Sequence, residues 1–282
     1  LLALGLSSIY LRRPDFIETL QLRLTDAIVA GAPEPDPSGQ VAVVDIDDHT
    51  LAAWGQWPWP RSLLARLLAG IADRGARCIA LDFIMAEPDR TSATSPTDHD
   101  AVLAQTLSRG LFVLGYQFQF GEEAGDRGDC LIPPLRFNPA GDAQPNGALA
   151  LHQARGAVCN QDRLARAAPQ AGFLNGQVDA DGRLRRLPLM IRYGSAVYPN
   201  LALAALGQSR PQASLSHPAP GGQVHLSLGP HRIPVDRSGN LAIRFAGQRS
   251  NLPRVSAHRV LAGDVAEADF QGRVVFVGLG AA

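Results

Sequence analysis

"VAVVDIDDHTLAAWGQWPWPRSLLARLLAGIADRGARCIALDFI", Val41 to Ile84, decides how this chain folds. It opens on VAVVDI, a nearly continuous Val-rich apolar run, the pattern of a strand buried on both faces. RSLLARLLAGIADRG then spaces its apolar residues at the helical period and stops at Gly75, and RCIALDFI reads as a strand again. The alternation continues with DHDAVLAQTLSRG, a helix ending at Gly110, and LFVLGYQF, a third strand. Strands that alternate with helices imply right-handed crossovers and a parallel sheet.

Working outward, PDFIETLQLRLTDAIVA (Pro14 to Ala30) carries helical spacing behind an N-terminal Pro, and GAPEPDPSGQ is a linker that cannot continue it. Near the other end, SAHRVLAGD (helix) and GRVVFVGLG (strand) resume the same style, so the two ends of the chain are expected to build one sheet. The middle differs. FLNGQVDADGRLRRLPLMIRY is predicted to form two strands around Asp181-Gly182, YPNLALAALGQ a helix, and GGQVHLSLGPHRIPVDRSGNLAIRF three short strands. The expected fold class is α/β: a mostly parallel sheet flanked by helices, with a long antiparallel β-rich insertion. The core is placed at about 13–120 and 253–282, and the insertion at about 121–252.

Composition narrows the function. A hydrophobic fraction of 46% and a charged fraction of 18% provide for a sizeable core, and the net charge of zero gives no basic surface for nucleic acid. All 26 basic residues are Arg, which removes mechanisms that need a Schiff-base or Walker-type Lys. Cys78, Cys130 and Cys159 are too widely spaced for a zinc site. Cys78 reads as a small buried hydrophobe, and a disulfide between the other two is possible. No cofactor is expected. LLALGLSSIYL at residues 1–11 is apolar but shorter than the roughly 20 residues a bilayer span needs, so it is either the end of a longer span or an ordinary buried helix start.

The acid cluster Asp45, Asp47, Asp48 follows a strand, at the end where open α/β sheets bind ligands. Read as chemistry, it suggests a magnesium-dependent phosphohydrolase using Asp45 and Asp47. Haloacid-dehalogenase-type phosphatases, however, want Thr or Val two residues after the second Asp, where this chain has His49. The structural reading has Asp48 or Thr50 capping a helix through TLAAW, with another Asp paired to Arg. In WPWPR each Pro holds its preceding Trp extended, and Pro60 suits a first helical turn. Trp57 and Trp59 are thus expected beside the strand ends, and Arg61 is expected to pair with Asp82 or Asp47. The candidate ligand-binding set is Asp45, Asp47, Trp57, Trp59, Arg61 and Asp82, suited to a small polar or cationic molecule. DADG fails as a calcium loop because its twelfth position is Pro188. Arg185 and Arg186 are adjacent, so in a strand they face opposite sides. One can pair inward while the other is solvated, with solvation the default for both.

VVDIDDHTLAAWGQWPWPRSLLARLLAGIADRGARCIALDFIMAEPD resembles the opening of the second class of CHASE domains, the cyclase/histidine-kinase-associated sensing extracellular modules. GFLNGQVDADGRLRRLPLMIRYGSAVYPNLALAAL is similar to that family's middle. IPVDRSGNLAIRFAG and SAHRVLAGDVAEADFQGRVVFVGLGAA are similar to its end, so the resemblance runs from about Arg13 to Ala282. It implies a ligand-sensing, non-catalytic module outside the bacterial inner membrane, with residues 1–12 as the end of a first membrane helix. It also implies further membrane helices and a cytoplasmic cyclase or kinase output domain. The expected partners are an unidentified small molecule, the membrane through flanking helices and a second copy in a homodimer.

Overall fold

Apolar runs and helix caps divide the chain, in order, into β1 (Val41–Ile46), α1 (Asp48–Trp54), α2 (Arg61–Ala72), β2 (Cys78–Leu81), α3 (His99–Leu107), β3 (Phe112–Gln119), β4 (Gln153–Ala154), β5 (Gly156–Val158) and α4 (Asp162–Ala167). There follow β6 (Gln170–Phe173), β7 (Arg186–Pro188), β8 (Met190–Tyr193), β9 (Ala196–Pro199), α5 (Leu201–Gly207), β10 (Ala213–Ser216), β11 (Val224–Leu228), β12 (His231–Val235), β13 (Asn240–Ala242), β14 (Arg254–Ser256), α6 (Ala257–Ala262) and β15 (Val274–Leu279). This computed structural model describes residues 20, 23–24, 26–28 and 31. From 38 to 280 it describes all residues but 94, 122–129, 137–148, 169, 180, 209–212, 217–223, 229–230 and 246–251. The expected membrane segment at 1–12 lies outside the described residues. No described helix is long and apolar enough to cross a membrane. The predicted helix at 14–30 is helical at residues 20, 23–24 and 26–28, and residue 31 is helical as well.

The main sheet runs β14-β1-β15-β2-β3, with β6 added beyond β3, and all these strands are parallel. The two ends of the chain do meet: β15 lies in the middle of the sheet, hydrogen-bonded to β1 on one side and β2 on the other. β5 pairs antiparallel with the end of β3. The parallel sheet therefore continues through β6, well past residue 120. The surrounding sequence is dominated by turn residues, and strands this short leave little periodicity to read.

One face of the sheet is covered by a helical layer in which α3 touches α2 and α4, and α6 touches α1 and α2. Ala42, Val44, Ile46, Ile79, Leu81, Val275 and Val277 point into this layer and are buried. The opposite face carries α5, which packs on β2, β3 and β6 through Leu201, Ala204 and Ala205. The helix sits this close because Gly172 has no side chain: a Cβ there would come 2.5 Å from Leu201 Cα. β2 is buried at every position, as expected of a strand covered on both sides, whereas β1 alternates half-buried and buried. That departs from the two-faced burial predicted for VAVVDI, because α5 lies over β2, β3 and β6 and leaves the outer side of β1 partly open.

The later strands form smaller sheets: β10-β11-β12, β13-β7 and β4-β8-β9. The Asp-Gly turn exists, with Gly182 N–H donating to Asp179 C=O at 2.8 Å. Its flanks join through the bridge Gln177–Arg186 and the Asp179 N–H to Arg183 C=O bond at 2.8 Å, and β7 takes β13 as its strand partner. Cys130 and Cys159 are joined in a disulfide, and Cys78 is a buried free thiol whose pKa burial pushes up to about 12.

Candidate functional site

Strand register places the acids. Asp45 stands opposite Ser256 on one side and Gly278 on the other. One step beyond the Val277–Leu81 and Leu81–Leu114 pairs come Gly278, Asp82 and Gly115, and Gly115 stands opposite Gly172. A single row thus crosses six strands at the carboxyl edge: Ser256, Asp45, Gly278, Asp82, Gly115, Gly172. Residues in register on parallel strands share a face. Asp45 and Asp82 therefore both lie on the α5 side, with glycine between them. A Cβ on Gly278 would sit 3.4 Å from Asp82 Cβ.

The two carboxylates are treated differently. Asp45 Oδ2 meets Arg254 Nη1 at 3.3 Å, across the edge of the sheet. Asp82 is exposed on its outer side, yet the protein packed around it raises its carboxyl above the ordinary range. Among the described residues no cation or donor meets that side chain. Asp82 is thus the carboxylate at this edge whose charge its surroundings disfavour.

Trp57, Trp59 and Arg61 are on the other side of the sheet. Phe83 follows Asp82 and so points oppositely, into the helical layer, where Trp57 packs on it with ring centroids 5.0 Å apart. Trp59 is buried, its indole N–H bonded to Gly55 C=O at 2.7 Å, and the Trp57–Pro58 peptide is cis. Arg61 opens α2 and is also buried. It does not pair with Asp82 or Asp47, contrary to expectation. Its Nε lies 3.8 Å from Asp100 Oδ1, and its backbone N–H donates to Asp89 Oδ2. The backbone N–H of Asp89 in turn donates to Asp100 Oδ2 at 3.0 Å. The reason is the pleat: Arg61 leaves the helix start on the face that α3 covers, and α3 supplies Asp100.

Asp47 is the cap of α1, a role the sequence reading gave to Asp48 or Thr50. Its Oδ1 accepts from Thr50 N–H at 2.8 Å, from the Thr50 hydroxyl and from the Ser256 hydroxyl at 3.1 Å. Burial works against this carboxylate, but the Thr50 and Ser256 bonds outweigh it and hold its pKa below the ordinary range. Thr50 Oγ1 also accepts from His258 N–H, so Asp47 locks α1 to the start of α6. The six residues chosen from sequence therefore fall into three places: Asp45 and Asp82 in one row, Asp47 in a cap, and Trp57, Trp59 and Arg61 under the helices.

Sequence reasoning passed over a denser charge cluster. Arg185, taken as solvated by default, has a side chain only 12% exposed. Its guanidinium bonds Asp26 at 2.7 Å, Asp179 at 2.9 Å and Asp181 at 2.7 Å, and Arg183 also reaches Asp26 at 3.0 Å. The Arg185 bonds hold both Asp26 and Asp181 well below the usual carboxylate range. Arg186 has a half-exposed side chain and reaches the same Asp179 carboxylate at 3.8 Å. The cluster ties the N-terminal helical residues to the Asp-Gly turn. Its signal was present in DADGRLR, where acids precede Arg at turn spacing, but Asp26 lies far away in sequence.

Among the described residues, no three His, Cys, Asp or Glu side chains are grouped so as to hold a metal ion. The magnesium-phosphohydrolase reading loses its geometry as well, since Asp47 Oδ1 is taken up by three hydrogen bonds and Asp45 is paired to Arg254. Compared with protein families, residues 2–282 match the model of the CHASE2 domain. No curated protein and no solved structure matches the chain.

Proposed function

The chain belongs to the CHASE2 domain family, a family of extracellular sensory domains without catalysis of their own, and from that premise we propose that it is the ligand-sensing, periplasmic part of a bacterial inner-membrane receptor with a cytoplasmic cyclase or kinase output domain. The observation that carries this reading is the place of β15. It lies between β1 and β2, so the last strand is bonded on both sides to the strands that present Asp45 and Asp82. A ligand alters a signal only by binding one conformation better than another. A change along the Asp45–Gly278–Asp82 row reaches β15 directly, and the N-terminal helical residues connect to the insertion through Asp26 and Arg185.

Within this reading Asp45 and Asp82 offer a contact to a cationic ligand group, while Asp47, Trp57, Trp59 and Arg61 hold the fold. A homodimer belongs to the same proposal. Leu20, Leu24 and Ile28 recur at helical spacing and are 53%, 57% and 73% exposed, an apolar stripe suited to a second copy. The location is tested by fusing alkaline phosphatase, which is active only outside the cytoplasm, behind Ala282 of the membrane-integrated protein. High phosphatase activity is expected there, and at a second fusion within the segment after Asp269 as well. Inactive fusions at both places overturn the proposal.

A further inference from the structure

A cavity of about 380 Å³ lies between the segment Pro133–Arg136, the start of β6 and the C-terminal end of α5. That volume is in the range of small-molecule sites. Its apolar wall includes Pro133, Pro134, Pro199 and Leu228, and its polar lining includes Arg136 and Gln208.

Two features mark it as a binding site. First, Gly207 lines the cavity as the last residue of α5 without a left-handed backbone. A Cβ built on it would touch nothing nearer than Leu228 Cδ2 at 3.8 Å. Neither conformation nor packing asks for glycine, which is a poor helix former, so its effect is to keep the cavity open. Second, Arg136 is exposed and no carboxylate among the described residues pairs with it. The rim itself is held in place: the Cys130–Cys159 disulfide anchors the start of the Pro-Pro segment, and Leu135 N–H bonds Val197 C=O at 2.7 Å.

We infer that this cavity binds a small carboxylic acid with a compact apolar body. The carboxylate meets Arg136, and the apolar body packs on the prolines and Leu228. The inference rests on the sensory reading for its purpose and supplies a route for it. α5 ends at the cavity and begins against Gly172, in the row that contains Asp82 and Asp45. A ligand that moves α5 therefore bears on the carboxyl edge of the sheet.

The test uses the 282-residue chain and two probes, read by titration calorimetry and thermal shift. They are 3-phenylpropanoate and its methyl ester, which lacks the charge. The acid is expected to bind, and the ester about tenfold more weakly. Arg136→Gln, at the exposed rim, is expected to remove the preference for acid over ester. Gly207→Leu is expected to abolish binding while the ligand-free melting temperature is kept or raised. No binding of phenylpropanoate at millimolar concentration, equal binding of acid and ester, or an unchanged acid preference in Arg136→Gln overturns the inference. If Gly207→Leu fails to fold, the Arg136 variant decides alone. Binding is read on the chain and location by the fusion experiment, so the cavity and the sensory role fail separately.

Discussion

Arg61 gives the sharpest test of how the helical layer is held to the sheet. Its side chain is 10% exposed and that of Asp100 is 9%, and their nearest charged atoms are 3.8 Å apart. At an effective dielectric of about 20, two unit charges at that distance attract by about 4 kcal/mol. Desolvation opposes this attraction. Burial lowers the Arg61 pKa despite the nearby carboxylates of Asp100 and Asp89, so the attraction does not fully offset the loss of water. Among the described residues, neither Arg61 Nε nor Asp100 Oδ1 has a hydrogen-bond partner. Replacing Arg61 by Met keeps most of the volume but leaves a buried carboxylate uncompensated, and breaking such a pair costs about 3 kcal/mol. For a chain of this size that loss lowers Tm by about 6 °C. Adding Asp100→Asn removes the stranded charge while its amide oxygen can still accept from Asp89 N–H. The double variant is therefore expected within about 1 kcal/mol of wild type. Urea and thermal unfolding of wild type, both single variants and the double variant measure the cycle. An Arg61→Met variant as stable as wild type, or a double variant that loses the sum of the two single changes, refutes the reasoning.

Asp82→Asn is expected to raise Tm at neutral pH. The folded-state pKa of Asp82 lies above its unfolded value, so its charge disfavours the fold once pH rises through the folded pKa. The gain should vanish below about pH 4, where the carboxyl is neutral in both states, and a gain independent of pH contradicts this origin. Gly172→Ala must drive a Cβ to 2.5 Å from Leu201 Cα, so α5 has to shift off the sheet, at a loss of about 3 kcal/mol seen in denaturant melts. Cys130→Ser with Cys159→Ser opens a loop with a sequence separation of 29. Chain entropy puts that loss at about 3.5 kcal/mol, and a variant whose denaturation midpoint equals that of the oxidised wild type counts against it. Cys78, buried with its pKa at about 12, should react with thiol reagents at pH 8 only as fast as the protein unfolds.

The row from Ser256 to Gly172 explains why the site was only half legible. The sequence around Val41–Leu81 carries its own period, so the strands, the helix between them and the α/β class follow from local physics: apolar residues must be buried, and their spacing names the element that buries them. The GRVVFVG segment repeats that texture, which was enough to assign the last strand to the same sheet. The side of the sheet each functional group faces was not written in this way. Asp82 and Phe83 are neighbours in sequence and stand on opposite faces, so WPWPR and the acids, though close along the chain, are separated by the sheet itself. Arg61 found Asp100, and Arg185 found Asp26, across 39 and 159 positions respectively. An ion pair gains from any opposite charge brought near, whatever its place in the chain, so its partner is chosen by packing. The amino-acid sequence by itself determined the elements and their order, because hydrophobic periodicity is local; only the tertiary structure decided the pairings, the open cavity beside α5 and the face on which each charge lies, because those depend on which surfaces the packed layers leave in contact.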